Sequence, residues 1–364
     1  MATLALAGCS ATGDTAGEGS GGEGLQVVAT TTQIGDFVNN IVGDDASVTQ
    51  LLKVGFSAHS FDPSASDLLA LGNADVLVQN GAGLEEWLES AIDASGFDGT
   101  IIDASTGAHV HESDHDHEHA EDEHSHDEHA EDEHAEDGHA ENGHAEDGHA
   151  EDEHSHDEHA ENEHSHGDHD HDHGGVDPHL WSDPHNAIHM VETIADGLVE
   201  LGGDSAQTFR SNADDYLAQL EALDAWTTEA FSVVPEDERL LVTNHHTFGY
   251  LAETQHITVV GSIMPSFDDN AEVSAAQIDE LVAKIKDSGV KAVFSETSIN
   301  PQVAETIATE AGVAVFSGED ALYSDSLGPE GSAGATYIGS VIHNVRTMIQ
   351  AWGYEAPSVP SELE

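Results

Sequence analysis

From Leu25 onward, short apolar and β-branched runs alternate with stretches whose apolar residues recur at helical spacing. "LQVVATTT" and residues 48–53, 74–80 and 99–105 predict four strands, with helices over 35–42, 63–71 and 84–94 between them. A low-complexity tract then interrupts the pattern. After it, "SDPHNAIHMVETIADGLVELGG" predicts a helix with Asp183 as N-cap, Pro184 at its first position and Gly202 as its stop. A second, unusually long helix follows over 204–232, where Phe209, Tyr216, Leu220, Leu223 and Trp226 recur on one face. Four more β-rich runs (239–243, 257–263, 290–296 and 313–317) come with helices at 274–287, 301–311 and 337–352.

Strand and helix in alternation predict the α/β class with parallel sheets. The expected architecture is two four-stranded α/β lobes joined by one long rigid helix, with the site in the cleft between them. The expected division is a leader and tether over 1–24, an N-terminal lobe over 25–202, a linking helix over 203–233, a C-terminal lobe over 238–353 and a tail over 354–364. Ligands in such sheets bind beyond the carboxyl ends of the strands, and with two lobes the cleft is the natural pocket.

Charge narrows the partners. The 364 residues carry 73 Asp and Glu against 7 Lys and Arg, for a formal charge of -66. Binding nucleic acid phosphates needs cations, so that class is excluded, while cations are favoured as ligands. The tract between His109 and His173 holds 27 of the acids, so the remaining 46 still face all 7 bases in the body. An acidic body of this kind is expected in a salt-adapted protein, where screening removes self-repulsion.

Cys9 is the only cysteine, which rules out an intramolecular disulfide. It ends the apolar run "LALAGCS", a lipobox-like sequence that predicts lipidation at Cys9. What precedes it is shorter than a full signal with a charged start. The Gly- and acid-rich "SATGDTAGEGSGGEG" then reads as a flexible tether to a membrane anchor. No other apolar stretch approaches the length of a membrane span.

Eight histidines lie outside the tract: His59, His179, His185, His189, His245, His246, His256 and His343. His59 follows the second strand, His179 the fourth strand and the tract, and His245 the first strand of the second lobe. Asp325 follows the last strand, in "LYSDSLG". Three imidazoles and one carboxylate at strand ends make an N3O set that suits tetrahedral zinc. Since all four ligands come from protein, no position is left open for water or substrate, which argues against an enzyme.

Four segments in order, "AHSFDPSASDLLALGNADVLVQNGAGLEEWL", "DPHLWSDPHNA", "LLVTNHHTFGYLA" and "YSDSLG", resemble the signature segments of the cluster A-I metal-binding proteins. These are the extracytoplasmic substrate-binding subunits of zinc and manganese ABC importers. The resemblance covers residues 25–353 apart from the tract. It implies two α/β lobes bridged by one rigid helix, partner permease and ATPase subunits, and metal ligands at His59, His179, His245 and Asp325. Manganese-selective members tend to carry a carboxylate at the position of His245, so the imidazole favours Zn²⁺ over Mn²⁺. A His-rich acidic loop at this point in the first lobe is also a feature of the zinc-binding members. Ser182 departs from the pattern, standing where a bulky apolar residue is common. His246 adjoins His245, and because neighbouring side chains at a strand end point opposite ways, His245 is the expected ligand.

Glu296 and Asp62 are candidates to orient a ligand histidine from outside, although a helix N-cap is the simpler role for Asp62, as for Asp183. His185 and His189 lie at i, i+4 on one helix face and could hold a surface metal, but a solvated face is the expected reading, and His256 and His343 are expected to be structural.

The tract itself holds twenty histidines in 65 residues, most of them in pentads such as "AEDEH" and "AEDGH". A period of five scatters them around a helix axis and offers no apolar face, so disorder is expected. Acids alone would keep it solvated, and the histidine enrichment therefore points to a weak auxiliary metal collector. Its candidate ligands are His115, His117, His119, His124, His126, His129, His134, His139, His144, His149, His154, His156, His159, His164, His166, His169, His171 and His173. "HESDH" (111–115) fits the HExxH zinc-protease pattern but lacks the buried helix that the pattern requires.

Together these readings predict an extracytoplasmic, lipid-anchored monomer that captures Zn²⁺ for an ABC importer. The rivals are a manganese or iron binder of the same fold, a metal-dependent adhesin and, last, a zinc hydrolase.

Overall fold

The computed structural model describes residues 24–110, 176–267 and 273–363. The expected lipidation site at Cys9, the tether, and the tract from His111 to Gly175 lie outside the described residues.

The first lobe is a parallel four-stranded sheet in the order β2-β1-β3-β4, made of β1 (Leu25–Ala29), β2 (Ala46–Gln50), β3 (Val76–Gln79) and β4 (Thr100–Asp103). The connections are α1 (Thr32–Val42), α2 (Ala65–Gly72) and α3 (Leu88–Ser95). Alternation along the strands sorts the side chains onto two faces. Val27, Ala29, Val76 and Val78 belong to the main core, whereas Val28 and Leu77 join Leu51, Leu71, Leu88 and Ala91 in a smaller cluster. Both faces are covered, as a parallel sheet requires. Thr31 caps α1 by accepting from Ile34 N, and Ser64 with Asp67 forms a capping box on α2. Ser64 thus does the capping work considered for Asp62, which is exposed.

Two helices follow: α4 (Pro184–Leu201) and α5 (Ala206–Ser232). Asp183 precedes α4 as its N-cap residue and Pro184 sits in the first turn, but the Asp183 side chain makes no capping hydrogen bond. It accepts instead from Thr254 Oγ1 at 3.1 Å, across to the second lobe. The 27 residues of α5 span about 40 Å at 1.5 Å per residue. Its apolar stripe, Phe209, Tyr216, Leu220, Leu223 and Trp226, is wholly buried. At one end Asn212 Nδ2 donates to Ile41 O of the first lobe, and at the other Phe231 packs against Trp352 of the second.

The second lobe comprises β5 (Leu240–Thr243), α6 (Gly249–Thr254), β6 (Thr258–Ser262), α7 (Ala275–Ser288), β7 (Ala292–Phe294), α8 (Gln302–Ala311), β8 (Ala314–Phe316) and α9 (Tyr337–Ala351). All pairings are parallel, but backbone hydrogen bonding divides the strands into two pairs, β5-β6 and β7-β8, rather than one four-stranded sheet. The ends of β5 and β7 are joined by side chains instead. Asn244 Oδ1 accepts from Glu296 N at 3.2 Å, and His245 N donates to Glu296 Oε1 at 3.0 Å. A register shift in β5-β6 between Leu241 and Val242 lies beside this junction.

The lobes are tied together on both sides of the cleft. Tyr216 OH on α5 and Tyr337 N on α9 both donate to Asp36 Oδ2 on α1, at 3.2 and 3.1 Å. Tyr337 OH donates to Trp181 O, Trp181 Nε1 and Gln33 Nε2 both donate to Ser324 O, and Tyr250 OH donates to Asp177 O. The C-terminal residues also pack down, with Tyr354, Val359 and Leu363 against the main core.

Candidate metal centre

Four loops, two from each lobe, bring His59, His179, His245 and Asp325 together. One ligand-type atom from each lies within 4.8 Å of the other three. His59 Nε2 is 3.2 Å from His179 Nε2. Asp325 Oδ1 is 3.2 Å from His245 Nε2 and 3.7 Å from His179 Nε2. Ligands about 2.05 Å from a tetrahedral zinc stand about 3.3 Å apart, so these separations match the edges of such a coordination shell. His179, His245 and Asp325 are fully buried and His59 is half-buried, leaving the cluster approachable from the His59 side.

Each loop is held by local chemistry. Ala58 O accepts from Trp87 Nε1 at 2.9 Å, and Gly55 N donates to Ser326 Oγ at 2.8 Å, which fixes the His59 loop against the Asp325 loop. His179 N donates to Asp177 Oδ1, and Asn80 Nδ2 donates to Pro178 O. Gly249 is needed here because a Cβ at that position would stand 2.6 Å from Asp177 Oδ2.

A carboxylate faces Nδ1 of each fully buried imidazole. Asp177 Oδ1 is 2.7 Å from His179 Nδ1, and Glu296 Oε2 is 2.6 Å from His245 Nδ1. The Asp177 hydrogen bond favours the Nδ1–H tautomer of His179, and Glu296 sets its charge against Nδ1 of His245, so Nε2 of both rings faces the cluster, as in carboxylate–histidine–metal arrays. Among the described residues no hydrogen-bond donor satisfies either oxygen of Asp325, whose near neighbours are the imidazole nitrogens. A buried carboxylate of this kind needs a cation, either protonated imidazole or metal.

The electrostatics agree with a cation site. Burial alone would push the imidazolium of His245 down, but Asp325 and Glu296 outweigh it and hold the group well above its ordinary range. Burial likewise opposes ionisation of Asp325, yet His245, then His179 and His59, hold its carboxyl well below the usual range. Metal and protons therefore compete for the same pocket.

His246 lies outside the cluster. Its ring stacks on Phe267 at 5.1 Å, and burial pushes its pKa down against the pull of Asp177. Glu296 faces His245, whereas Asp62 is exposed just before α2 and is not part of the cluster. Asp177 escaped the sequence reading, although its place two residues before His179 in "DPH" was a usable signal. His343 Nε2 lies 2.9 Å from Ala321 O, and His256 occupies a left-handed turn after α6.

The chain belongs to the family described as zinc-uptake complex component A, periplasmic, whose model matches residues 27–351. It is 29% identical over 349 residues to the manganese-binding lipoprotein MntA of Halalkalibacterium halodurans, covering 95% of this chain and 94% of that one. It is 29% identical over 330 residues to the zinc-binding protein AdcA of Streptococcus pyogenes, with 89% and 55% covered. Its fold superposes on the periplasmic zinc-binding protein TroA of Treponema pallidum with a TM-score of 0.68 at 22% identity, covering 90% of this chain and 99% of that one. The protein is therefore the metal-binding, extracytoplasmic component of an ABC metal-uptake system, a solute-binding protein and not an enzyme. Among the described residues no helix is long and apolar enough to cross a membrane.

Proposed function

We propose that the protein captures Zn²⁺ with His59, His179, His245 and Asp325 and passes it to the permease of its importer. The observation that carries this reading is the N3O cluster, with three imidazole nitrogens and one carboxylate oxygen within 4.8 Å of one another. Three borderline nitrogen donors suit zinc better than a hard, oxygen-preferring ion such as Mn²⁺. Asp177 and Glu296 orient two of the imidazoles, Cys9 carries the lipid anchor, and the chain acts as a monomer. The histidines of the tract gather zinc weakly and raise its concentration at the cleft.

Manganese is the second reading, and two observations favour it. The relative matched over 94% of its length is named for manganese, and among the described residues both oxygens of Asp325 lack hydrogen-bond donors. A bidentate carboxylate would raise the coordination number to five. The test is competition between Zn²⁺ and Mn²⁺ for the purified metal-free protein at neutral pH, with metal content read by mass spectrometry. Zinc occupancy of one tight site at a large excess of manganese supports the first reading, and preferential manganese retention overturns it.

A further inference from the structure

The geometry points to a second transition-metal site on the surface of α4, formed by His185 and His189. Residues at i and i+4 stand on one face of a helix, one turn apart. The two rings face each other edge to face, with centroids 5.1 Å apart. That equals the 5.1 Å between His179 and His245 in the cleft. Two imidazoles on one tetrahedral zinc, each bound through a nitrogen about 2.05 Å from the metal, place their centroids about 5 Å apart, so the pair is already at chelating distance.

A second observation concerns which nitrogen is available. His189 Nδ1 lies 3.0 Å from Glu192 Oε2, and His185 Nδ1 lies 3.8 Å from Asp224 Oδ2 on α5. The His189 contact is a hydrogen bond that leaves Nε2 of His189 as its ligand atom, and Asp224 adds negative charge beside His185 without bonding to it. A solvated face does not require the two rings to pair at this separation. Both side chains are accessible, at 58% and 37% relative exposure, so the site fills from solution and water completes its coordination. With two protein nitrogens it binds more weakly than the cleft and takes a borderline divalent ion, Zn²⁺ being the probe of choice.

His109, the last histidine before residue 110, is fixed beside this helix turn: its N–H donates to Asn186 Oδ1 at 3.1 Å, and Asn186 Nδ2 donates back to its carbonyl at 3.3 Å. His109 is thus held against α4 at Asn186, the residue that follows His185 in the helix. This inference stands apart from the identity of the metal in the cleft.

Histidine acylation by diethyl pyrocarbonate, resolved by peptide mass spectrometry on the full-length protein, tests it. With Zn²⁺ beyond the amount that fills the cleft, acylation of His185 and His189 should slow together by about fivefold or more. His185→Gln should abolish the protection of His189, and His189→Gln that of His185, while one tight zinc per chain remains. Unchanged acylation of both residues in excess zinc overturns the proposal. So does protection of either residue that survives loss of the other, since no chelate then joins them.

Discussion

Glu296 holds His245 at two points: Oε1 accepts from the backbone N–H at 3.0 Å, and Oε2 stands 2.6 Å from Nδ1. The backbone contact fixes where the residue sits, and the ring contact fixes which nitrogen faces the cleft. Both depend on the separation of β5 and β7 as distinct strand pairs, since the side chain spans the gap between them.

Replacing this carboxylate should weaken metal binding without touching a ligand. Glu296→Gln keeps an acceptor for the backbone N–H but removes the charge that polarises the imidazole. Zinc affinity should fall about 10–100-fold, and Asp177→Asn should act alike on His179. Titration against a chromophoric chelator measures both. An unchanged affinity in both variants would show that the carboxylates do not tune the imidazoles.

Proton competition should set the pH dependence. The folded-state pKa of His245 is raised, so in the metal-free protein its ion pairs contribute stability below about pH 6.5, and this is lost as pH rises through the folded value. Metal needs the neutral ring. Zinc affinity should therefore start to fall above pH 6.5 as the solution is acidified, earlier than the fall below about pH 6 expected of ordinary histidines. Calorimetry at pH 7 in buffers of different ionisation enthalpy should detect release of about one proton per zinc. Zero proton release contradicts the coupling of His245 to Asp325 and Glu296.

Asp36 should act as a clamp between the lobes. Its carboxylate accepts from Tyr216 OH and Tyr337 N, joining α1, α5 and α9. Asp36→Ala leaves both donors without that acceptor, and removing hydrogen bonds to a charged group costs about 1.5–3 kcal/mol each before relaxation. The metal-free protein should melt several degrees lower, and a melting point within one degree of the parent would refute the clamp.

The architecture was legible because its signals are periodic. The stripe on α5 from Phe209 to Trp226 and the two-faced strands β1 and β3 each follow from residue spacing alone. The four clustered residues were legible because each lies in a loop after a strand, where α/β folds place their ligands. What spacing does not encode is contact across lobes. The division of the second lobe into strand pairs depends on Asn244 and Glu296 replacing backbone pairing, and the turn of Asp183 away from its own helix depends on Thr254, 71 residues further along the chain. Asp177 went unnoticed because its place in "DPH" does not reveal which nitrogen of His179 it faces, and only the 2.7 Å contact with Nδ1 does.

The tract should be dispensable for the tight site. Deleting residues 112–172 should leave one tight zinc per chain with nearly unchanged affinity and remove several weaker sites, and it should impair uptake only when zinc is scarce. Calorimetry on the two forms decides the matter. Loss of the tight site would mean that the four cleft residues are not a complete ligand set.

The most direct test of the account is anomalous diffraction at the zinc edge from crystals of the zinc-loaded, full-length protein. The account predicts a strong peak in the cleft, bound by Nε2 of His59, His179 and His245 and by an oxygen of Asp325, at about 2.0–2.2 Å. A cleft peak bound by His246 or by a histidine of the tract, or one that leaves Asp325 unbound, would contradict it.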